Sequence, residues 1–156
     1  MNQLLAALAV LALGVAPAAA RNYSDPIAFC RAVGTIDRPD GRYTGRKLPD
    51  WMAAKLGLKP DQDKMMEWRC AGGVVLACLY GANIPCDAKA DTRRRPSTAI
   101  RQFCRGHPGS DFVPMAVTGH ESVVSWACHG ARPVVTRVGD VDAQGYAKAY
   151  WHPVQR

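Results

Sequence analysis

Glutamate is nearly missing from this chain: Glu67 and Glu121 are the only two among 13 acidic residues, against 20 lysines and arginines. A glycosidase-like acid pair would have to come from aspartates, and no aspartate spacing selects one. Gly-x-Ser-x-Gly, His-Glu-x-x-His and a phosphate-cradling glycine run are also absent, which removes the sequence signatures of α/β-hydrolases, zinc helices and nucleotide binders. His120-Glu121 lacks a second histidine four residues on. After residue 20 there is no long apolar run, hence no candidate membrane span. The sequence therefore selects no catalytic, cofactor-binding or metal-ligating residue, and no cofactor is expected.

Charge is missing from residues 1–20 altogether. Leu4 to Val15 is a short apolar run, and Ala18-x-Ala20 supplies the small side chains that a signal peptidase needs. We read residues 1–20 as a cleaved signal peptide without a lipid anchor, although Met1-Asn2-Gln3 lacks the usual lysine or arginine. All six cysteines follow it: Cys30, Cys70, Cys78, Cys86, Cys104 and Cys128. An even count in an exported chain reads as three disulfides, rather than a thiolate nucleophile or a zinc site. The expected location is periplasmic or secreted.

The formal net charge is +7. Basic residues gather at Arg38, Arg42, Arg46 and Lys47, and again at Arg93-Arg94-Arg95. Both runs lie in turn-rich loops and are candidate anion-binding groups.

Local signals place the elements. Asp25-Pro26 starts a helix that Gly34 ends, and Leu48-Pro49-Asp50 opens a second that stops at Gly57. Met65 to Cys70 and Val74 to Leu79 read as strands around Gly72-Gly73. Ser97 caps a helix to Arg105. Asp111 to Thr118 is short and apolar, with Pro114 limiting regular pairing. Ser122 to Cys128 and Pro133 to Val138 form a second hairpin, and Tyr146 to His152 is expected to close the sheet. Glu67, next to Trp68 on its strand, is expected to face solvent. Trp51 and Trp151 remain candidates for exposed stacking groups.

The halves echo each other. Phe29-Cys30-Arg31 returns as Phe103-Cys104-Arg105, Trp68-x-Cys70 as Trp126-x-Cys128, and Val74-Val75 as Val134-Val135. This pattern reads as a diverged duplication with the second helix inserted in the first half. Six cysteines allow fifteen pairings. The echo favours Cys30–Cys70, Cys104–Cys128 and Cys78–Cys86, while a bridge from Cys70 or Cys78 across the hairpin stays open.

With Tyr23-Ser24-Asp25-Pro26, Val33 to Asp37, Trp68-Arg69-Cys70, Gly81 to Cys86, Ala116 to Gly119 and Trp126-x-Cys128 in view, the chain resembles a group of small exported bacterial proteins. That resemblance brings no activity with it. The aromatic-x-Cys strand before a glycine turn is also similar to a motif of periplasmic lysozyme inhibitors, a resemblance that implies an inhibitory role.

The expectation is an α+β fold in which short helices pack on one face of a small antiparallel sheet. It is built as two helix-plus-hairpin units stapled by three disulfides. Residues 21–156 form a single domain, with sub-units of about 21–86 and 97–156 and a basic linker at 87–96. The expected function is that of an exported, non-enzymatic binding module for an anionic envelope polymer or a secreted protein. The alternatives are a small hydrolase using a His/Asp pair and a lysozyme-inhibitor-like protein.

Overall fold

Asp25 and Pro26 start α1 (Pro26–Val33) by ordinary capping chemistry: the Asp25 carboxylate accepts from the N–H groups of Ile27 and Ala28, both at 3.0 Å. The computed structural model describes residues 21–156, so the signal peptide read at 1–20 lies outside the described residues. Gly34 closes α1 at φ +77°, a conformation that glycine tolerates. The remaining elements in order are α2 (Asp50–Leu56), β1 (Met66–Ala71), β2 (Val74–Leu79), α3 (Thr98–Gly106), α4 (Met115–Thr118), β3 (Val124–His129), β4 (Arg132–Val138) and β5 (His152–Pro153). The fold is α+β. The five strands among the described residues divide between two antiparallel sheets, β1-β2-β5 and β3-β4, rather than forming one.

Each sheet belongs to a helix-plus-hairpin unit. In the first, Cys30 on α1 bonds to Cys70 on β1; in the second, Cys104 on α3 bonds to Cys128 on β3. Cys78 and Cys86 are bonded to each other. These are the pairs favoured by the internal echo, and the likeness extends to the backbone. Before α1, Tyr23 bridges Tyr43 in parallel; before α3, Asp91 bridges Ser122 in parallel. After α1, Ile36 exchanges hydrogen bonds with Cys70, and after α3 the Cys128 N–H donates to Ser110 O at 2.8 Å. Between Tyr43 and β1 the first unit carries α2 and a 3₁₀ turn at Asp63–Met65, whereas Ser122 leads almost directly into β3. The extra segment is thus the second helix with its loops.

The register corrects one part of the echo. Cys70 stands opposite Val75 and Cys128 opposite Pro133. Val134-Val135 therefore occupies the place of Leu76-Ala77, not of Val74-Val75. The last stretch also departs from expectation. Tyr146 to His152 is no long strand: Ala147 makes a single antiparallel bridge to Val141, Lys148–Tyr150 is a 3₁₀ turn, and His152–Pro153 pairs with β2 of the first unit. Asp111 to Thr118 ends in the one-turn helix α4, since Pro114 has no N–H for a ladder but suits a helix entry. The 87–96 stretch is tied down rather than loose: Ala90 N–H donates to Gly145 O, and Asp91 N–H to Glu121 O.

The larger core lies under α1 and β1. Tyr23, Phe29, Tyr43 and Trp68 pack edge to face in a chain of contacts, with Leu48 and Met52 beside them. The second unit has a smaller core around Ile100, Val124 and Trp126. A third cluster gathers the Cys78–Cys86 bridge with Tyr146 and Trp151.

The bridges close loops of different length, with sequence separations of 40, 24 and 8 residues. By loop-closure entropy, replacing both cysteines by alanine should cost about 4 kcal/mol for Cys30–Cys70, about 3.5 for Cys104–Cys128 and about 2.5 for Cys78–Cys86. Urea unfolding of the three double variants checks this order. The largest loss at Cys78–Cys86 would show that packing, not chain entropy, dominates.

Candidate functional site

The first basic run is mostly committed to carboxylates. Arg42 clasps Asp40 with its guanidinium at 2.6 Å, Arg46 pairs with Asp50 at 2.6 Å, and Lys47 pairs with Glu67 at 2.7 Å. Glu67 is accordingly half-buried and ion-paired, not turned to solvent, because the loop ending at Lys47 folds over β1. Tyr80 hydroxyl reaches the same carboxylate, and its ionisation is pushed up by burial and by that negative charge. Among the described residues Arg38 has no carboxylate partner; its guanidinium donates to Asp87 O at 3.4 Å. Arg38 and Lys47 share a 310 Å³ hollow with Tyr43 and Trp68. Tyr43 is held by its bond to Arg46 O, and burial lifts its pKa to about 12.

The second run is divided. Arg93 repeats the Arg42 clasp on Asp91: its side chain grips both carboxylate oxygens, and its backbone N–H also donates to Oδ1. That hydrogen bonding holds the Asp91 carboxyl below its ordinary range. Arg94 and Arg95 are exposed, with no ion pair among the described residues. Arg95 borders a 220 Å³ hollow whose base is Ile100 and Trp126 and whose walls include Ser97, Thr118 and Ser122. Ser122 and Thr118 donate to nearby backbone carbonyls. Ser97 only accepts, from Ile100 N–H, so its hydroxyl hydrogen is free. Asp91 is neutralised by Arg93, which leaves Arg95 as the uncompensated charge of the hollow.

A third polar centre was not foreseen. Arg69, in the middle of β1, is completely buried. Its guanidinium carbon lies 4.5 Å from the ring centres of both Tyr146 and Trp151. It donates to Asp142 and to the Gln144 side-chain oxygen, while its Nε is buried without a partner. Gln144 in turn donates to Asp37 at 2.7 Å, and Asp37 pairs with Lys89 at 2.9 Å. Trp151 is thus a buried wall of this centre, not an exposed stacking group. Trp51 is half-buried, with the Arg156 guanidinium over its ring at 5.2 Å. The only sequence hint was an arginine between two core residues, Trp68 and Cys70.

Burial works to raise the Asp142 carboxyl, but the Tyr146 N–H and then Arg69 more than offset it and hold it below its usual value. Asp37 is lowered chiefly by its hydrogen bond from Lys89. His107, His120, His129 and His152 are all exposed, and none bonds a carboxylate among the described residues. No group of three or more His, Cys, Asp or Glu among the described residues could hold a metal ion. No helix among them is long and apolar enough to cross a membrane. No protein-family model, curated protein or solved structure matches the chain.

Two outcomes follow for the buried centre. Arg69→Ala leaves Asp142 without its cation and should lower stability by about 3–5 kcal/mol in urea unfolding. Arg69→Lys should recover only part, because a lysine lacks the planar fork that donates to Asp142 and Gln144 while lying against the Tyr146 and Trp151 rings. Asp37 and Asp142 are depressed in the folded state, so the stability they contribute is present above their unfolded pKa of about 4 and is lost as pH falls below it. The urea midpoint should fall on acidification through that window, and Asp142→Asn should flatten the fall. A midpoint equally steep in that variant would assign the acid limb to other groups.

Proposed function

We propose that the protein is an exported binding module that takes an anionic group of an envelope component in the hollow over Trp126. The observation that carries this reading is Arg95: an exposed guanidinium without a carboxylate partner, at the rim of a hollow with an indole base and a free Ser97 hydroxyl. Such a set suits a carboxylated or phosphorylated sugar, whose charge meets the arginine and whose hydroxyls meet Ser97 and the polar walls, with the buried Trp126 only flooring the hollow. Arg93 is the spacer of this site rather than its anion donor, since its guanidinium is held by Asp91. The loop from Arg38 to Lys47 supports the reading only through Arg38, the rest being ion-paired. Periplasmic or secreted location fits the three formed disulfides and the apolar run at Leu4 to Val15.

Calorimetric titration with a polyuronate and with polyphosphate tests the site. Arg95→Ala should weaken binding about tenfold, the worth of one charge-assisted hydrogen bond. Arg42→Ala and Arg46→Ala should leave the affinity within about twofold, and affinity should fall as salt rises. Equal loss in all three variants would mean diffuse charge attraction without a site.

A further inference from the structure

The two hairpins differ in what covers their second strand. β2 is flanked by β5, with Leu76 opposite Pro153 and Ala77 opposite His152, and Val154 N–H donates to Val75 O at 2.9 Å. β4 occupies the matching place in the second unit, yet it pairs with β3 alone among the described residues. At the positions of Leu76 and Ala77 it carries Val134 and Val135, which are 39% and 38% exposed.

The hydrogen bonds show which backbone groups of β4 are open. Trp126 O accepts from Val113 N–H, and Cys128 N–H donates to Ser110 O. Both strand residues thus face away from β4. Their opposites, Val135 and Pro133, must then turn their own peptide groups away from β3 and outward, as alternation in an antiparallel ladder requires. Pro133 lacks an N–H, so no donor is lost there. Val135 presents both an N–H and a C=O to the open edge.

The side chains beside that edge carry one sign of charge. Arg132 and Arg137 stand opposite His129 and Ser125, on the face that also carries Val134. Neither is ion-paired with a carboxylate among the described residues, although Arg137 shares a hollow with Asp140 and Lys148. A second copy of the chain laid antiparallel along β4 would gather four arginines with no carboxylate of β4 to meet them. The proline, the arginines and the register shift between Ser125 and Trp126 are features that discourage self-pairing. They do not discourage a strand whose own carboxylates meet Arg132 and Arg137.

We propose that β4 is a docking edge for an extended acidic segment of a partner protein, which adds to the β3-β4 sheet as β5 adds to β1-β2. Val135 supplies the main-chain bonds, Val134 the apolar contact, and Arg132 and Arg137 the selection for carboxylates on either side of it. This surface is separate from the hollow over Trp126, and either can exist without the other.

The probe is the peptide acetyl-Glu-Thr-Val-Thr-Val-Thr-Glu-amide, with a lysine-ended control, titrated against the full mature chain by amide NMR. The acidic peptide should slow exchange of the Val135 amide and shift β4 resonances, and the lysine peptide should bind about tenfold more weakly. Arg132→Glu/Arg137→Glu, both at exposed positions, should reverse that preference. Val135→Pro should remove binding while the circular dichroism of the fold is kept; if that variant unfolds, the charge reversal decides alone. Equal binding of both peptides, no binding of either, or a dimer in sedimentation that Val135→Pro dissolves would overturn the proposal.

Discussion

A guanidinium with no exposed surface has to have its charge answered from within, and Arg69 sets that demand at the centre of β1. The answer comes from residues more than seventy positions away: Asp142 and Gln144 accept its hydrogen bonds, and Tyr146 and Trp151, packed edge to face on each other, form an aromatic corner against it. The cation therefore decides where the end of the chain goes. Residues 142–154 follow directly on the second unit, yet they lie on the first, completing its sheet through β5 and covering the Cys78–Cys86 bridge. Asp37 and Lys89 extend the same network to the loop after α1 and to the segment joining the halves. The two units are thus held together by one buried charge and its partners rather than by a continuous sheet.

The units share a frame and differ in what fills it. Both have a capped helix, a disulfide from helix to first strand, an aromatic two residues before the strand cysteine, and a parallel bridge ahead of the helix. In the first, α2 adds Met52 and Ala53 to the core, with Leu48 just before it, and β5 covers the outer edge. In the second these additions are missing. A duplicated frame with one half enlarged and closed and the other left lean accounts for why Trp68 and Trp126 are both buried while β4 is exposed along nearly its whole length.

What could be read from the sequence was local. Asp25, Pro26, Ser97 and the paired glycines at 72 and 73 act through neighbours a few residues away, so their helices and turn lie where their chemistry puts them. The cysteine pairing was legible because the echo recorded a repeated geometry. What escaped depended on contacts distant in sequence. Alternation along β1 assumes one wet face, but α1 packs on one face, and on the other 142–151 closes over Arg69 while Lys47 and Tyr80 half-bury Glu67. Likewise, a run of arginines says nothing about which ones a turn will place against an aspartate two residues back, as happens to Arg42 and Arg93 but not to Arg94 or Arg95. The match of Val74-Val75 to Val134-Val135 was a likeness of residue type, and only the ladder register could show the offset of two.

The lean second unit is also where both proposed surfaces lie, and core size explains why. Its buried cluster comprises Ile100, Cys104, Val113, Val124, Trp126 and Cys128, a third of them the disulfide itself. So small a core leaves side chains at its margin only partly covered, and a cross-link must offset what burial cannot supply. Trp126 can then lie beneath a hollow, and Val134 and Val135 can stay at an open edge, without threatening the fold, because Cys104–Cys128 and the Asp91–Ser122 bridge hold the frame. The first unit could not offer the same positions: there Tyr43 packs edge-on against Trp68 and β5 occupies the edge. Rigid closure of one half is the physical condition under which the other half can remain available to a partner.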